Sequence, residues 1–155
     1  AKIAPTLQFH LDGPGFDMDS SEFWWPDTWY HIAYTYDGEQ ISLYKDGALD
    51  VSKIDTRDYT FSRITLADGD FGSNYMQVEF AQIRLWKKCL TAGAIQDAMS
   101  RQIPGDSDGL IGYWKCDEAT GSVLKDSSPN GNDITINGTP KWSEKAFNFA
   151  HPNEK

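Results

Sequence analysis

The stretch TWYHIAYTYDGEQISLYKDGAL, Thr28 to Leu49, constrains the fold more than any other part of the chain. Tyr30, Ile32, Tyr34 and Tyr36 share one parity, and Trp29, His31, Ala33 and Thr35 share the other. Such alternation sends successive side chains to opposite faces of a strand. Asp37-Gly38 then marks a hairpin turn, because Gly takes positive φ at no steric cost. Ile41 and Leu43 follow, Asp46-Gly47 marks a second turn, and a short strand ends near Ile54. Antiparallel strands joined by tight turns are expected here.

The same pattern recurs along the chain. PTLQFHL (Pro5 to Leu11) sets Leu7, Phe9 and Leu11 on one face, and LDGPGFDMDSSEFWWPD reads as a turn-rich loop carrying aromatics. SRITLADGD reads as a strand closing in an acidic loop at Asp68-Gly69-Asp70. In YMQVEFAQIRLWKK the apolar parity switches, from Met76, Val78 and Phe80 to Ile83 and Leu85. A one-residue slip would turn half the apolar set to solvent, so a β-bulge is expected near Ala81-Gln82. LTAGAIQDAMSR is the one helical candidate, with Thr91 as cap and Ala94, Ile95, Ala98 and Met99 near one face. Pro104-Gly105-Asp106 ends it. The segment Gly109 to Trp142 reads as strand, polar turn, Gly/Asn/Asp/Ser loop and strand, with EKAFNFAH as a last strand. About nine strands and one helix make a twisted antiparallel sandwich the natural architecture. An aromatic content of 14% with 13 Gly and 7 Pro agrees, since aromatics fit pleated surfaces and Gly and Pro supply turns.

The net charge of −9 argues against nucleic acid or an anionic membrane surface as partner. No apolar run has the length of a membrane-spanning helix, so no membrane insertion is expected. The chain starts at Ala1 without a signal peptide, which reads as a mature form, an excised piece or a fragment. Cys89 and Cys116 lie in apolar stretches. Two readings stand: buried thiols acting as small hydrophobes, or a disulfide between Cys89 and Cys116, which would imply an oxidising compartment.

WYHIAYTYDGEQISLYKDGAL (Trp29 to Leu49) resembles the centre of laminin-G-like, concanavalin A-like jelly-roll domains, the group that includes pentraxins and many lectin modules. FAQIRLWKKCLTAGAIQ (Phe80 to Gln96) resembles their closing strand and short helix. GYWKCDEATGSVLKDSSPNGNDITINGTPKW resembles the segment with which such domains commonly open, here within 109–142 near the C-terminus. The resemblance implies an all-β antiparallel jelly-roll β-sandwich with one short helix, spanning 1–155 as a single domain. It also implies kinship with surface lipoproteins of glycan-foraging gut bacteria, in which such a module follows other domains.

Two departures stand out. A stretch that usually precedes PTLQFHL is missing, so either the chain is the C-terminal part of a longer one or the C-terminal segment fills that space. The second alternative pairs Leu110–Cys116 with Phe80–Cys89 and brings Cys116 near Cys89. Many relatives carry an acid where this chain has Ala81, and in some it helps hold Ca²⁺. Alanine offers no oxygen, and Ca²⁺ needs six to eight.

No local pattern supports catalysis. His31 reads as a packed strand histidine, with His10 in a strand and His151 near the terminus. No strand carries the alternating acids of glycosidases on this fold. DGDFGSN (Asp68 to Asn74) and KDSSPNGND (Lys125 to Asp133) are oxygen-rich, which leaves Ca²⁺ open as a cofactor, but Asp, Asn and Gly are also what turns require. Sugar sites pair an aromatic face with hydrogen-bonding groups. In EFWWPDTW, Trp24 and Trp25 sit next to each other in a loop, where at most one is expected to face the core. Trp29, Trp86 and Trp114 read as core, with Tyr113 turned outward. The sequon Asn137-Gly138-Thr139, followed by Pro140, matters only in a secreted eukaryotic chain.

The expectation is a non-catalytic extracellular or cell-surface module that binds a glycan or glycoconjugate. Its candidate ligand residues are Trp24 and Trp25, with Asp68, Asp70 and Asn74 as polar partners. The alternative is a structural or protein-interaction sandwich that binds neighbouring domains of a longer chain or another copy.

Overall fold

Asp46 (φ 50°) and Gly47 (φ 77°) both adopt left-handed backbone conformations. Two such residues make the tight turn whose twist matches the strands it joins. They connect β4 (Gln40–Lys45) to β5 (Ala48–Ile54), and Lys45 pairs with Ala48 across the turn. β3 (Ile32–Tyr36) runs along the other side of β4, with Tyr36 opposite Ile41. The Asp37 carboxylate shapes that hairpin by accepting from the backbone N–H groups of Glu39 (2.9 Å) and Gln40 (2.8 Å). These bonds hold its pKa below the usual 3.8. As the middle strand of β3-β4-β5, β4 buries Ile41, Ser42 and Leu43.

These elements come from a computed structural model, which describes residues 10–13, 16–22, 24–58, 78–143 and 147–149. The chain divides into two compact units, one of 1–57, 88–103 and 147–155, the other of 58–87 and 104–146. The expected strand SRITLADGD lies outside the described residues, as do His151 and most of PTLQFHL.

In the first unit, β1 (His10–Gly13) pairs with β2 (Phe16–Asp19). This hairpin lies largely where the sequence reads as a turn-rich loop. Helix α1 (Ala92–Met99) forms as expected: the Thr91 hydroxyl accepts from Ala94 N–H at 3.2 Å, and Ile95 is buried. The Gln96 side chain donates to the Gly47 carbonyl at 3.1 Å, which ties the helix to the β4–β5 turn. Phe147 packs edge-on to Trp29, with ring centres 5.0 Å apart. Phe147, Asn148 and Phe149 form no strand, so the last strand expected at EKAFNFAH is not found among the described residues.

In the second unit, β6 (Ile83–Trp86) pairs antiparallel with β7 (Leu110–Trp114), from Ile83↔Trp114 to Trp86↔Leu110. This is the pairing expected of Phe80–Cys89 with Leu110–Cys116. The expected bulge is displaced: β6 begins only at Ile83, after left-handed Gln82 (φ 59°) and exposed Val78 and Phe80, and the ladder's register shifts between Leu85 and Trp86 instead of at Ala81-Gln82. The two-residue strands β8 (Val123–Leu124) and β9 (Ile134–Thr135) complete the ladders.

Tyr113 is fully buried, contrary to the outward position expected of it. Simple alternation presumes one solvated face, but β7 is covered on both. On one side Tyr113 hydrogen-bonds Gln82 and lies beneath the Arg84 and Lys115 cations, 5.1 and 5.9 Å from its ring centre. On the other the Trp114 ring folds back over Gly112 and donates from Nε1 to the Asn132 carbonyl at 2.8 Å. Trp114 is buried, whereas Trp29 and Trp86 are only half-buried.

Candidate functional site

Alternation along an extended loop places Trp24 and Trp25 in opposite environments. Trp24 is 5% exposed and Trp25 50%. The Trp24 indole packs on Tyr30, with ring centres 4.9 Å apart. Lys45 Nζ sits 5.4 Å from the Trp24 ring centre and 5.1 Å from that of Tyr30, a cation–π arrangement on both rings. Trp24 is therefore a core residue. It is closed to a ligand, which corrects its place among the candidate ligand residues.

The loop that displays Trp25 is fastened along its length. Its leading end is tied to β5, where Asp50 accepts from Ser21 N–H at 3.0 Å and from the Ser21 hydroxyl. In the middle, Tyr30 Oη accepts from Trp25 N–H at 3.0 Å while its ring holds Trp24. Asp27 takes a left-handed conformation (φ 55°), and Thr28 Oγ1 donates to the Pro26 carbonyl at 3.2 Å. At the trailing end, His31 N–H donates to Asp46 Oδ1 and Asp46 N–H to the His31 carbonyl, both at 2.8 Å. A loop held in this way presents an aromatic face without paying to order it on binding. Glu22, Asp27 and Thr28, all exposed, lie close by in sequence. Trp25 thus combines a flat apolar ring with nearby hydrogen-bonding groups, and His31 acts through its backbone as a strand-entry residue.

Tyr30 and Lys45 were missed in the sequence. Tyr30 reads there as one more strand aromatic, and nothing in the local pattern brings Lys45 to the loop. Asp68, Asp70 and Asn74 lie outside the described residues.

The loop KDSSPNGND turns out to be a closed hydrogen-bonding unit. Asp126 Oδ1 accepts from the N–H groups of Tyr113 and Ser128, each at 2.8 Å. Its Oδ2 accepts from Ser128 Oγ at 2.8 Å and Asn132 N–H at 2.9 Å. Burial pushes the Asp126 pKa up, but these bonds outweigh it and hold the value below 3.8. Asp133 accepts from Lys125 Nζ at 2.5 Å and Asp126 N–H at 3.0 Å. These carboxylates serve the turn. Among the described residues no group of three or more His, Cys, Asp or Glu could hold a metal ion, and the side chain of half-buried Ala81 brings no oxygen.

Cys89 and Cys116 are both free thiols. The disulfide reading is corrected by that finding. Cys89 is also exposed, so the buried-thiol reading holds only in part, for half-buried Cys116. Burial, together with Glu118, pushes the Cys116 pKa up to about 11.

A laminin G model (Laminin_G_3), described as the concanavalin A-like lectin/glucanases superfamily, matches residues 3–96. The chain belongs to this superfamily. Among the described residues, its antiparallel ladders and one short helix are those of the superfamily's all-β sandwich fold. A solved Bacteroides ovatus structure, named "putative carbohydrate binding protein", is similar at 20% identity and a TM-score of 0.60. That similarity covers 84% of this chain and 42% of the other, so this chain spans well under half of its neighbour's length. An S-layer domain-containing protein from Clostridium thermocellum (residues 221–444) is similar at 16% identity and a TM-score of 0.38, over 58% of this chain and 49% of that one. No curated protein matches. Among the described residues of this laminin G-type chain, no helix is long and apolar enough to cross a membrane.

Proposed function

We propose that this laminin G-type chain is a non-catalytic, carbohydrate-binding module working outside the cell or at its surface. The observation that carries the reading is Trp25: an indole 50% exposed on a loop fastened at both ends and in the middle. Membership of a lectin-containing superfamily supports it, and the name of the Bacteroides ovatus neighbour points the same way. Trp25 would stack on the CH face of a sugar in an extended glycan or glycoconjugate. Asp68, Asp70 and Asn74 are kept in the proposal as polar partners. Residues 1–155 would act as one sandwich, closed by 109–142. Ca²⁺ stays open as a cofactor of the module.

Native affinity electrophoresis through gels containing different polysaccharides tests the reading. At least one should retard the protein, and Trp25→Ala should weaken that binding about tenfold to a hundredfold. The same variant should keep the wild-type unfolding midpoint within about 0.5 kcal/mol, as a surface substitution does. Trp24→Ala serves as the contrast and should cost about 3–5 kcal/mol of stability. Retardation by no polysaccharide, or unweakened binding by Trp25→Ala, would overturn the proposal, and release of reducing sugar would overturn its non-catalytic part.

A second reading rests on β5, where Leu49 is 56% and Ile54 72% exposed. A protein-interaction module would use such apolar side chains against a neighbouring domain or another copy. Leu49→Asp and Ile54→Asp would then abolish association while leaving any glycan binding intact.

A further inference from the structure

The chain contains two Asn-Gly dipeptides, Asn130-Gly131 and Asn137-Gly138. Both glycines take positive φ, 68° and 99°, and both have open space where a Cβ would stand. The glycines therefore do not distinguish the two sites, but the asparagine side chains do. Asn130 Nδ2 donates to the Ile111 carbonyl and to Ser128 Oγ, each at 3.3 Å, and Asn130 N–H donates to Ser128 Oγ at 3.3 Å. Its carboxamide is held across the loop against β7. Asn137 is exposed, and its side chain makes no hydrogen bond among the described residues.

We propose that Asn137 is a self-modification site, converting with Gly138 and water to aspartate or isoaspartate, while Asn130 is protected by its hydrogen bonds. In the first step the Gly138 nitrogen, losing its proton to solvent base, attacks Asn137 Cγ. A nitrogen–Cγ bond forms, the Cγ–Nδ2 bond breaks, and the amide leaves as ammonia after taking up a proton. The cyclic imide that remains is opened by one water at either carbonyl, giving the normal or the isomeric acid. No electrons are exchanged, and water is the one co-reactant.

Ring closure needs the side-chain carbon to swing into contact with the following nitrogen, a near-attack geometry of about 3–3.5 Å. Asn137 is free to make that swing. Asn130 must first give up its bonds to Ile111 and Ser128. Conversion places a new charge on a chain already at −9. In the isomeric form it also adds a carbon to the backbone one residue beyond Ile136, whose N–H bonds the Ser122 carbonyl at 2.8 Å beside β8 and β9. Conversion should therefore loosen the β8–β9 ladder.

The test is incubation of the folded chain in mildly alkaline buffer. Peptide mapping by mass spectrometry would follow, with chromatography that separates aspartate from isoaspartate. The Asn137 peptide should convert about tenfold faster than the Asn130 peptide, the factor expected from one net hydrogen-bond energy. In urea, where both side chains are released, the two rates should converge. Equal native rates, or faster conversion at Asn130, would overturn the proposal. So would an unconverted Asn137 in folded protein when the unfolded chain converts, or a rate difference that survives in urea.

Discussion

Asp126 holds β7 and its bracing loop together through a single carboxylate. Two of its four donors are backbone N–H groups outside its own turn, and that of Tyr113 belongs to a fully buried residue. Asp126→Ala leaves that N–H without its acceptor, which should cost about 1–3 kcal/mol. The pH dependence follows from the same bonds. They lower the folded-state pKa below the ordinary 3.8, so the unfolded chain takes up the proton first. The stability Asp126 supplies is fully present above 3.8 and is lost as pH falls through the lower folded value. Urea unfolding at a series of acidic pH values should show a smaller acid-induced loss in Asp126→Ala than in the parent chain. An identical acid slope in both would mean that these bonds contribute nothing. The sequence shows a turn-forming run here, but it does not show which acid anchors it. Asp126 and Asp133 look alike until the fold brings Tyr113 N–H to one of them.

At the scale of elements, legibility follows range. The hairpin turns at Asp37 and at Asp46-Gly47 and the Thr91 cap are read correctly because each depends on backbone chemistry within four residues. The β1–β2 hairpin is hidden because LDGPGFD has the composition of a loop. Tyr113 is misplaced because alternation cannot tell that Arg84, its direct partner across the ladder, covers that face. Gly112 is another long-range demand written as one small residue. A Cβ there would stand 2.2 Å from Trp114 Cη2, and that ring is pinned by its bond to Asn132. Gly112→Ala must displace the indole, at about 1–3 kcal/mol for an overpacked core. Near-ultraviolet circular dichroism should change along with the unfolding midpoint. Wild-type tryptophan signals in the variant would mean that the ring does not depend on the missing side chain.

At the scale of the whole molecule, the family match and the hydrogen-bonded ladders have different boundaries. The match ends at residue 96, yet β6, which lies inside it, pairs with β7 at Leu110–Trp114, outside it. A domain cut at the family boundary therefore keeps β6 and discards its partner strand. An unpaired strand edge exposes a row of N–H and C=O groups that recruits other chains. In this chain that edge would follow Val78 and Phe80, already 40% and 44% exposed. Removing 104–155 should give protein that aggregates or elutes as large oligomers in size-exclusion chromatography, while 1–143 retains the β6–β7 ladder and should stay soluble. Adding the separate peptide 104–143 during refolding should restore part of the soluble fraction by resupplying β7. If the chain ending at residue 103 is instead soluble and monomeric, β7 is dispensable, and the C-terminal segment decorates the fold without closing it.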